Sequence, residues 1–314
     1  MRIGLVVDST CDLPGSYIER KHIELLPITV KIGDAAFADH RNEQATLEFL
    51  HSHIAERGAE AESVPFSVAQ IQDLFLQKLV IDYDYVFCLT VSRSRSQIYD
   101  NAVQASFAIL NDYKPIRVAA GHQSPFSLRV IDTQSLFSGQ GITAVEAIRL
   151  IEAGEGVAKI RARLENLVIN THAYMVPRDL MYLRAQARQR GDRSVSLFSA
   201  AMGSALDIKP VLYCNRGETR PVAKIRGFEP AAKRSFEFIC ERIHRGLMTP
   251  IVCLSYGGEL DEMRMLPGYQ TVVDTCRNNG IELFETVMSV TAMTRVGKGS
   301  LTFGFASEPH EFKE

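Results

Sequence analysis

Three polar residues that could do chemistry stand directly after the first apolar run of the chain. Residues 3–7 form a short run rich in β-branched side chains, and Asp8, Ser9 and Thr10 follow it. This pattern predicts a buried strand that ends in a polar loop. Ligands of open parallel sheets bind outside the carboxyl ends of the strands, so these three residues are candidates for binding or catalysis. The alternative is that Asp8 or Ser9 only caps the next helix.

Asp8 has the chemistry of a nucleophile for phosphoryl transfer or hydrolysis. Haloacid-dehalogenase-like phosphatases carry such an aspartate after a strand, but they also need a second carboxylate, the general acid, two residues later. Thr10 holds that position in this chain. The serines offer no better route to hydrolysis, because none of them lies in a G-x-S-x-G elbow. An enzyme that uses Asp8 therefore stands only as an alternative.

Two further apolar runs end in polar residues in the same way. Tyr85 to Val91 is followed by a loop that contains Arg93, Arg95 and Ser96, and Leu128 to Ile131 is followed by an acid and a hydroxyl. The repeated order of strand, polar loop and helix is typical of a parallel sheet with right-handed crossovers. We expect the polar ends of all three strands at one edge of that sheet, where Arg93 and Arg95 are candidates for binding an anion.

The pattern changes after Gly154-Glu-Gly156, which predicts a domain boundary at residue 155. Residues 1–155 are expected to form a mainly parallel α/β domain with flanking helices. Residues 156–314 are expected to form an α+β domain with a mixed or antiparallel sheet, because they contain a predicted hairpin around Gly217. A helix of small residues is predicted from Ser196 to Leu206.

The composition excludes several classes of function. The chain has 314 residues and a net charge of -2, which gives no electrostatic attraction to nucleic acid or to an anionic membrane. Six scattered cysteines without a C-x-x-C spacing predict buried thiols in a reducing cytoplasm. No apolar run has the length of a membrane span or of a signal peptide. His51 and His53 do not share a helix face, so they are not expected to bind a metal as a pair. No cofactor is expected either.

The order and spacing of these features across essentially the whole chain resemble the DegV family of fatty-acid-binding proteins. The matching segments are Val7-Asp-Ser-Thr10, Ser63 with Pro65, Ser96 with Tyr99 and Ala102, Gly191-Asp-Arg193, Ile208-Lys-Pro-Val-Leu212, Gly217, Lys224-Ile-Arg226, and Gly297, Gly299, Leu301, Gly304 and Phe305. The resemblance implies the two-domain DegV fold, with a long-chain fatty acid in the cleft between the domains.

The resemblance also implies roles for individual residues. Ser63, Ser96 and Arg295 would contact the head group of the acid, with Ser9 and Gly297 as further ligand-binding residues. In well-understood members of the family, a separate kinase phosphorylates the bound acid. This chain would then be a carrier and not an enzyme.

Arg193 would dock the kinase. It is one of four arginines between residues 184 and 193, a charge run that also suits a solvated helix face.

This chain departs from the family pattern around the expected head group. Ala61 and Glu62 replace hydroxyl residues, Gln97 replaces a glycine, and Arg295 replaces a histidine. A buried Arg295 requires an acidic group beside it, which could be a ligand carboxylate, a phosphate or Glu62. A smaller or more anionic ligand is therefore an alternative, such as a phosphorylated or polycarboxylic acid bound by Arg295 and the two arginines of the 92–96 loop.

Overall fold

The computed structural model describes residues 1–52, 58–189 and 207–313. The strands are β1 (Ile3–Asp8), β2 (Glu24–Leu26), β3 (Ile28–Ile32), β4 (Ala35–Asp39), β5 (Glu62–Pro65), β6 (Tyr85–Thr90), β7 (Ser127–Asp132), β8 (Thr171–Val176), β9 (Ile208–Asn215), β10 (Glu218–Arg226), β11 (Ile251–Tyr256), β12 (Glu282–Val287) and β13 (Leu301–Ala306). The α-helices of five or more residues are α1 (Gly15–Arg20), α2 (Glu43–His51), α3 (Val68–Leu74), α4 (Ile98–Ala108), α5 (Tyr113–Ala119), α6 (Ser138–Glu152), α7 (Val157–Ile169), α8 (Leu180–Gln189), α9 (Phe228–Arg245), α10 (Leu260–Arg264), α11 (Tyr269–Asn278) and α12 (Val290–Val296).

The strands assemble into a parallel sheet, a mixed sheet and a small antiparallel sheet. The parallel sheet has the order β2-β1-β6-β7. The mixed sheet has the order β10-β9-β8-β13-β11-β12 and is antiparallel except between β11 and β12. The predicted fold class, with a parallel sheet first and a mixed sheet second, is confirmed. The predicted domain boundary lies in the turn between α6 and α7 and stays a prediction.

The segment from Ile23 to Lys31 predicts a second strand that is interrupted by Pro27. The structure divides this segment into β2 of the parallel sheet and β3 of the small sheet, because proline has no amide proton to continue a ladder. The sequence from Glu62 to Ser67 predicts a loop that contains a proline. This prediction is wrong for the first four residues, which form β5 and pair antiparallel with β3. Proline is tolerated there because β5 is an edge strand.

Helix α6 lies between the parallel sheet and the six-stranded sheet. Its residues from Ser138 to Ile148 are all buried, although many are small or polar. Glycine makes the close packing possible, since a side chain on Gly139 would meet the Cβ of Ala173 at 2.8 Å, and one on Gly304 would meet the backbone of Gly139 at 2.9 Å. The helix therefore packs backbone to backbone against β13.

Buried hydroxyl groups join the same layers. The Ser138 hydroxyl lies 2.6 Å from Thr302 Oγ1, and Ser255 Oγ lies 2.7 Å from the same threonine. Ser255 also donates to Asp12 Oδ2 at 2.6 Å. The loop after β1, the central helix α6 and the six-stranded sheet thus share one hydrogen-bond network.

The prediction that the cysteines are buried is confirmed. All six cysteines are buried free thiols. None of the helices within the described ranges combines the length and the apolar character that a bilayer-crossing helix requires.

Two histidines lie side by side against the six-stranded sheet, with ring centroids 4.3 Å apart. His172 Nε2 is 2.9 Å from the Ser307 carbonyl oxygen and donates to it, so Nδ1 accepts from the Tyr213 hydroxyl at 2.7 Å. His310 Nε2 pairs with the Tyr174 hydroxyl at 2.8 Å. Burial is the main cause that lowers the pKa of both histidines from 6.5 to about 4. Both rings are therefore neutral at pH 7.

We expect the free energy of unfolding to fall as the pH is lowered from 6.5 to about 4. In this window the unfolded chain binds protons at His172 and His310 that the folded chain excludes, which costs up to about 1.4 kcal/mol per pH unit for each histidine. Urea unfolding at a series of pH values measures the slope. His310→Gln should make it shallower, and an unchanged slope in this variant would contradict the account.

Candidate functional site

A cavity opens between the parallel sheet and the second half of the chain. Its empty volume is about 870 Å³, including the open mouth, which lies in the range of small-molecule pockets. Both halves of the chain contribute to its wall. The apolar lining residues are Ile28, Val91, Leu136, Phe137, Met175, Leu183, Leu212 and Val296. The polar lining residues are Thr10, Ser63, Arg95, Ser96, Gln186, Thr219, Thr291 and Arg295.

The parallel sheet presents its carboxyl edge to this cavity. Thr10 follows β1, Val91 and Ser96 follow β6, and Leu136 and Phe137 follow β7. The expectation that the three polar strand ends meet at one edge of the sheet is therefore confirmed for these loops. This edge is where ligands of open parallel sheets bind.

Asp8 lies beneath the cavity wall and is fully buried. Its Oδ1 accepts from the Thr10 amide at 2.9 Å and from the Thr10 hydroxyl at 2.5 Å. Its Oδ2 accepts from the Val91 amide at 2.6 Å and from Gln140 Nε2 at 3.2 Å. Burial raises the pKa of this carboxyl, although the four hydrogen bonds oppose the shift. The carboxylate thus has its acceptor positions filled by the loops that it holds together.

The loop after β6 separates its two arginines. Arg95 lines the cavity. Arg93 is exposed outside it, where its guanidinium lies 5.4 Å from the centre of the Tyr99 ring and 4.0 Å from Asp100. Residues 92–95 form a turn, in which the Arg95 amide donates to the Ser92 carbonyl at 2.8 Å. Side chains in a turn do not follow the alternation of a strand, so the sequence could not assign one arginine to the cavity and the other to the surface. Ser96 also lines the cavity, and its Oγ accepts from the Ile98 amide at 3.2 Å.

Arg295, at the end of α12, brings a positive charge to the cavity wall. One of its terminal nitrogens donates to Gln186 Oε1 at 3.1 Å, and the other donates to the hydroxyl of Ser63. Both of these acceptors are neutral, and the two bonds orient the guanidinium. Glu62 is exposed, and neighbouring residues of a strand point to opposite faces. The contact with Arg295 therefore comes from Ser63 and not from Glu62.

Gln186 is a site residue that the sequence analysis missed. It is buried, and its Nε2 donates to the Gly58 carbonyl at 2.9 Å while its oxygen accepts from Arg295. Leu183, three residues earlier on α8, also lines the cavity. Residues at positions i and i+3 share one helix face. The sequence feature that could have identified Gln186 is therefore a neutral amide three residues after a leucine in a basic helix.

Thr291, at the start of α12, is fixed by the small antiparallel sheet. Asp39 Oδ2 accepts from both the amide and the hydroxyl of Thr291 at 2.9 Å. Arg41 lies two residues after Asp39 and forms an ion pair with the buried Asp12 at 3.5 Å. These contacts hold α12, and with it Arg295, against the first half of the chain.

The tip of the β9–β10 hairpin closes the opposite side of the cavity. The Gly217 amide donates to the Gln134 carbonyl at 2.7 Å, and its carbonyl accepts from Ser94 Oγ at 2.9 Å. Gly217 has φ +79°, and a side chain there would meet Ser92 Oγ at 2.9 Å. This docking brings Thr219, two residues on, to the cavity wall.

The chain is strained where it enters the central helix. Phe137, a cavity residue, has φ +51°, and Gln134, which accepts from Gly217, has φ +50°. Such a conformation in a residue other than glycine costs about 1–3 kcal/mol and is concentrated at binding and catalytic sites. The sequence offers no signal for it.

Two predicted ligand-binding residues, Ser9 and Gly297, do not line the cavity. Ser9 is buried away from the lining, where its Oγ accepts from the Ile28 amide at 3.0 Å and joins β1 to β3. Gly297 ends α12 with φ +93° and packs against the Tyr182 ring without lining the cavity. Arg193 and the predicted helix from Ser196 to Leu206 lie outside the described residues, as does His53.

Comparison with known proteins gives a family match over nearly the whole chain. Residues 2–308 match the family model described as "Uncharacterised protein, DegV family". A DegV domain-containing protein of Xanthomonas campestris is 65% identical over 312 residues, which cover 99% of each chain.

More distant relatives carry names that state a ligand. A protein of Thermotoga maritima named fatty acid-binding protein is 25% identical over 308 residues, with 97% of each chain covered. A crystal structure described as a DegV lipid binding protein of Thermotoga maritima has a TM-score of 0.75 at 23% identity, with 100% of each chain covered. At that identity the likeness shows the fold alone.

We expect Gly217→Ala to destabilise the protein more than Gly121→Ala does. Both glycines have positive φ, +79° and +85°, so both substitutions carry the cost of about 1 kcal/mol for alanine in that conformation. Gly121 has open space around it, whereas the new methyl group of Gly217→Ala meets the buried Ser92. Urea unfolding of the two variants measures the difference, and equal losses would contradict the docking of the hairpin tip.

Proposed function

The chain belongs to the DegV family, and from that premise we propose that it binds a long-chain fatty acid, or a similar amphiphilic acid, in the cavity between its two halves. The observation that carries the proposal is the division of the cavity wall. Eight apolar side chains suit a hydrocarbon tail, and the charged lining residues among those described are Arg95 and Arg295, both cations. A molecule with an apolar body and an anionic head matches that wall.

The apolar wall supplies most of the affinity in this proposal. Burial of a methylene contributes about 0.8 kcal/mol, so about fifteen of them contribute roughly 12 kcal/mol before the costs of association. A hydrogen bond to a charged group adds only about 1.5–3 kcal/mol. The tail therefore determines how tightly the ligand binds, and the head group determines which way it points.

The head group is proposed to lie near Arg295 and Ser63. Arg295 is held by Gln186 and Ser63, so its planar fork is oriented before a ligand arrives. Ser96 and Thr219 add hydroxyl groups to the same wall. A carboxylate accepts up to four hydrogen bonds, which suits a set of cationic and hydroxyl donors.

A more anionic head group is the second candidate, and one observation favours it. Arg95 lines the cavity together with Arg295, and a second cation would suit a phosphorylated or polycarboxylic acid better than a single carboxylate. Arg93, which the same hypothesis invoked, lies outside the cavity.

The protein is proposed to be a carrier rather than an enzyme. Asp8 was the candidate nucleophile, but both of its oxygens already accept hydrogen bonds from Thr10, Val91 and Gln140. Thr10 stands between this carboxylate and the cavity, since Thr10 lines the wall and Asp8 does not. These contacts support a positioning role for Asp8.

The proposal also includes a separate kinase that acts on the bound acid. Only the family resemblance supports this part of the proposal. The proposed docking residue Arg193 lies outside the described residues. A cytoplasmic location is proposed because six buried free thiols suit a reducing compartment.

Arg295→Gln should weaken the binding of palmitate by roughly 10- to 150-fold, because it removes a charged hydrogen-bond donor at the proposed head group. Isothermal titration of delipidated protein with palmitate measures the change. Arg93→Gln is the matched control, since it removes the same charge from the surface, and it should change the affinity by less than about twofold.

The same titration separates the two candidates. For a fatty acid, Arg95→Gln should cost less affinity than Arg295→Gln. Tighter binding of an alkyl phosphate than of palmitate, with an equal loss in Arg95→Gln and Arg295→Gln, would favour the second candidate. Equal losses in Arg295→Gln and Arg93→Gln would contradict both.

A further inference from the structure

Helix α8 carries a residue that reaches both sides of the proposed head-group site. The side chain of Gln186 joins the backbone at Gly58 to the guanidinium of Arg295. We propose that Gln186 is a positioning residue that makes the cavity select an ionised head group over a neutral one. It acts through Arg295, and this role rests on the proposed binding of an amphiphilic acid.

The hydrogen bonds of Gln186 are compatible with only one orientation of its amide. The residue is buried, with 2% of its surface exposed. Its Nε2 donates to the Gly58 carbonyl oxygen at 2.9 Å, and its Oε1 accepts from Arg295 at 3.1 Å. Arginine only donates and a carbonyl oxygen only accepts, so a flipped amide would place donor against donor and acceptor against acceptor. The amide oxygen is therefore directed at Arg295.

The same face of α8 also fixes the main chain at the end of α12. Tyr182 lies one turn before Gln186, and its hydroxyl donates to the Thr294 carbonyl at 3.0 Å. Two glycines make room for this tyrosine. A side chain on Gly58 would meet the Tyr182 hydroxyl at 2.7 Å, and one on Gly297 would meet its ring at 3.0 Å. Helix α8 therefore holds both the backbone and a side chain at the end of α12.

The bond from Gln186 to the backbone connects it with the second partner of Arg295. Gly58 begins a short helical turn, and its carbonyl also accepts from the Ala61 amide at 3.0 Å. Strand β5 follows this turn directly, and its Ser63 accepts a hydrogen bond from Arg295. Gln186 thus ties the segment that carries Ser63 to the helix that carries its own side chain, and Arg295 contacts both.

A neutral acceptor at position 186 suits a ligand with an anionic head group. The glutamine orients Arg295 by a hydrogen bond, whereas a carboxylate at this position would form an ion pair with Arg295 and compete with the ligand. An oriented guanidinium can form two parallel hydrogen bonds with an ionised carboxyl group, but an alcohol offers it a single neutral oxygen. The placement of Arg295 should therefore affect the affinity for an acid more than the affinity for an alcohol with the same tail.

Isothermal titration of the delipidated full chain with laurate and with dodecanol tests the proposal, because the two ligands share an alkyl chain and differ in the head group. Gln186→Met keeps the length of the side chain without its amide. It should weaken laurate binding by about 3- to 20-fold and dodecanol binding by less than about twofold. Gln186→Glu should weaken laurate binding by about tenfold or more, because the new carboxylate pairs with Arg295.

Gln104→Glu is the matched control for the charge change. Gln104 is exposed on α4 and does not line the cavity. This variant should leave the affinity for both ligands unchanged within about twofold, since the new charge is screened by solvent.

A double mutant separates positioning from packing. In an Arg295→Gln background, Gln186→Met should weaken laurate binding by less than about a further twofold, because Gln186 then has no guanidinium to orient. The loss in Gln186→Met should also be the same for palmitate as for laurate, since a head-group contact does not depend on the length of the tail.

Two results would assign Gln186 to packing and overturn the proposal: equal losses for laurate and dodecanol in Gln186→Met, or fully additive losses in the double mutant. Unchanged laurate affinity in both Gln186 variants would also overturn it. The titration of the wild-type protein distinguishes this failure from that of the proposed function. A wild-type protein that binds neither palmitate nor laurate would contradict the proposed function, and the role of Gln186 would fall with it.

Discussion

The backbone contact between the central helix and the six-stranded sheet is the constraint on which the rest of the structure depends. Helix α6 approaches β13 so closely that Gly139 and Gly304 leave no room for a side chain on either. The helix is also covered by the parallel sheet, so its buried residues include hydroxyls that must find partners inside the protein. Ser138 and Thr302 supply such partners to each other.

The cavity follows from this contact. Leu136 and Phe137 enter α6 and line the cavity from one side, and Met175 on β8, which pairs with β13, lines it from the other. Both halves pack on the helix, and the loops at the carboxyl ends of the parallel strands share the cavity wall with the end of α12. The site is therefore completed by residues distant in the sequence, such as Ser63 and Arg295, which form a hydrogen bond.

Local sequence patterns correctly predicted three strands of the parallel sheet and the hairpin of the mixed sheet. Short apolar runs ending in polar residues identified β1, β6 and β7, and the glycine turn at Gly217 identified the hairpin, because these signals lie within a few residues of one another. The interruption at Pro27 was predicted, but the assignment of β2 and β3 to different sheets was not, because it depends on long-range pairing.

The site was predicted only in part, for the same reason. Ser63, Ser96, Arg95 and Arg295 line the cavity, but the sequence does not show whether a loop residue faces inward, so Ser9 and Arg93 were included with them. Gln186 was missed because its role depends on Arg295, more than a hundred residues away. Tertiary contacts of this kind have no local signature.

The central claim is that the cavity holds an amphiphilic acid, and native mass spectrometry of the freshly purified protein tests it most directly. The account predicts a complex with one bound ligand per chain, and extraction after denaturation should release a long-chain fatty acid or a similar amphiphilic acid. A protein that carries only a small polar anion in the cavity, or that remains ligand-free after incubation with fatty-acid vesicles, would contradict the claim.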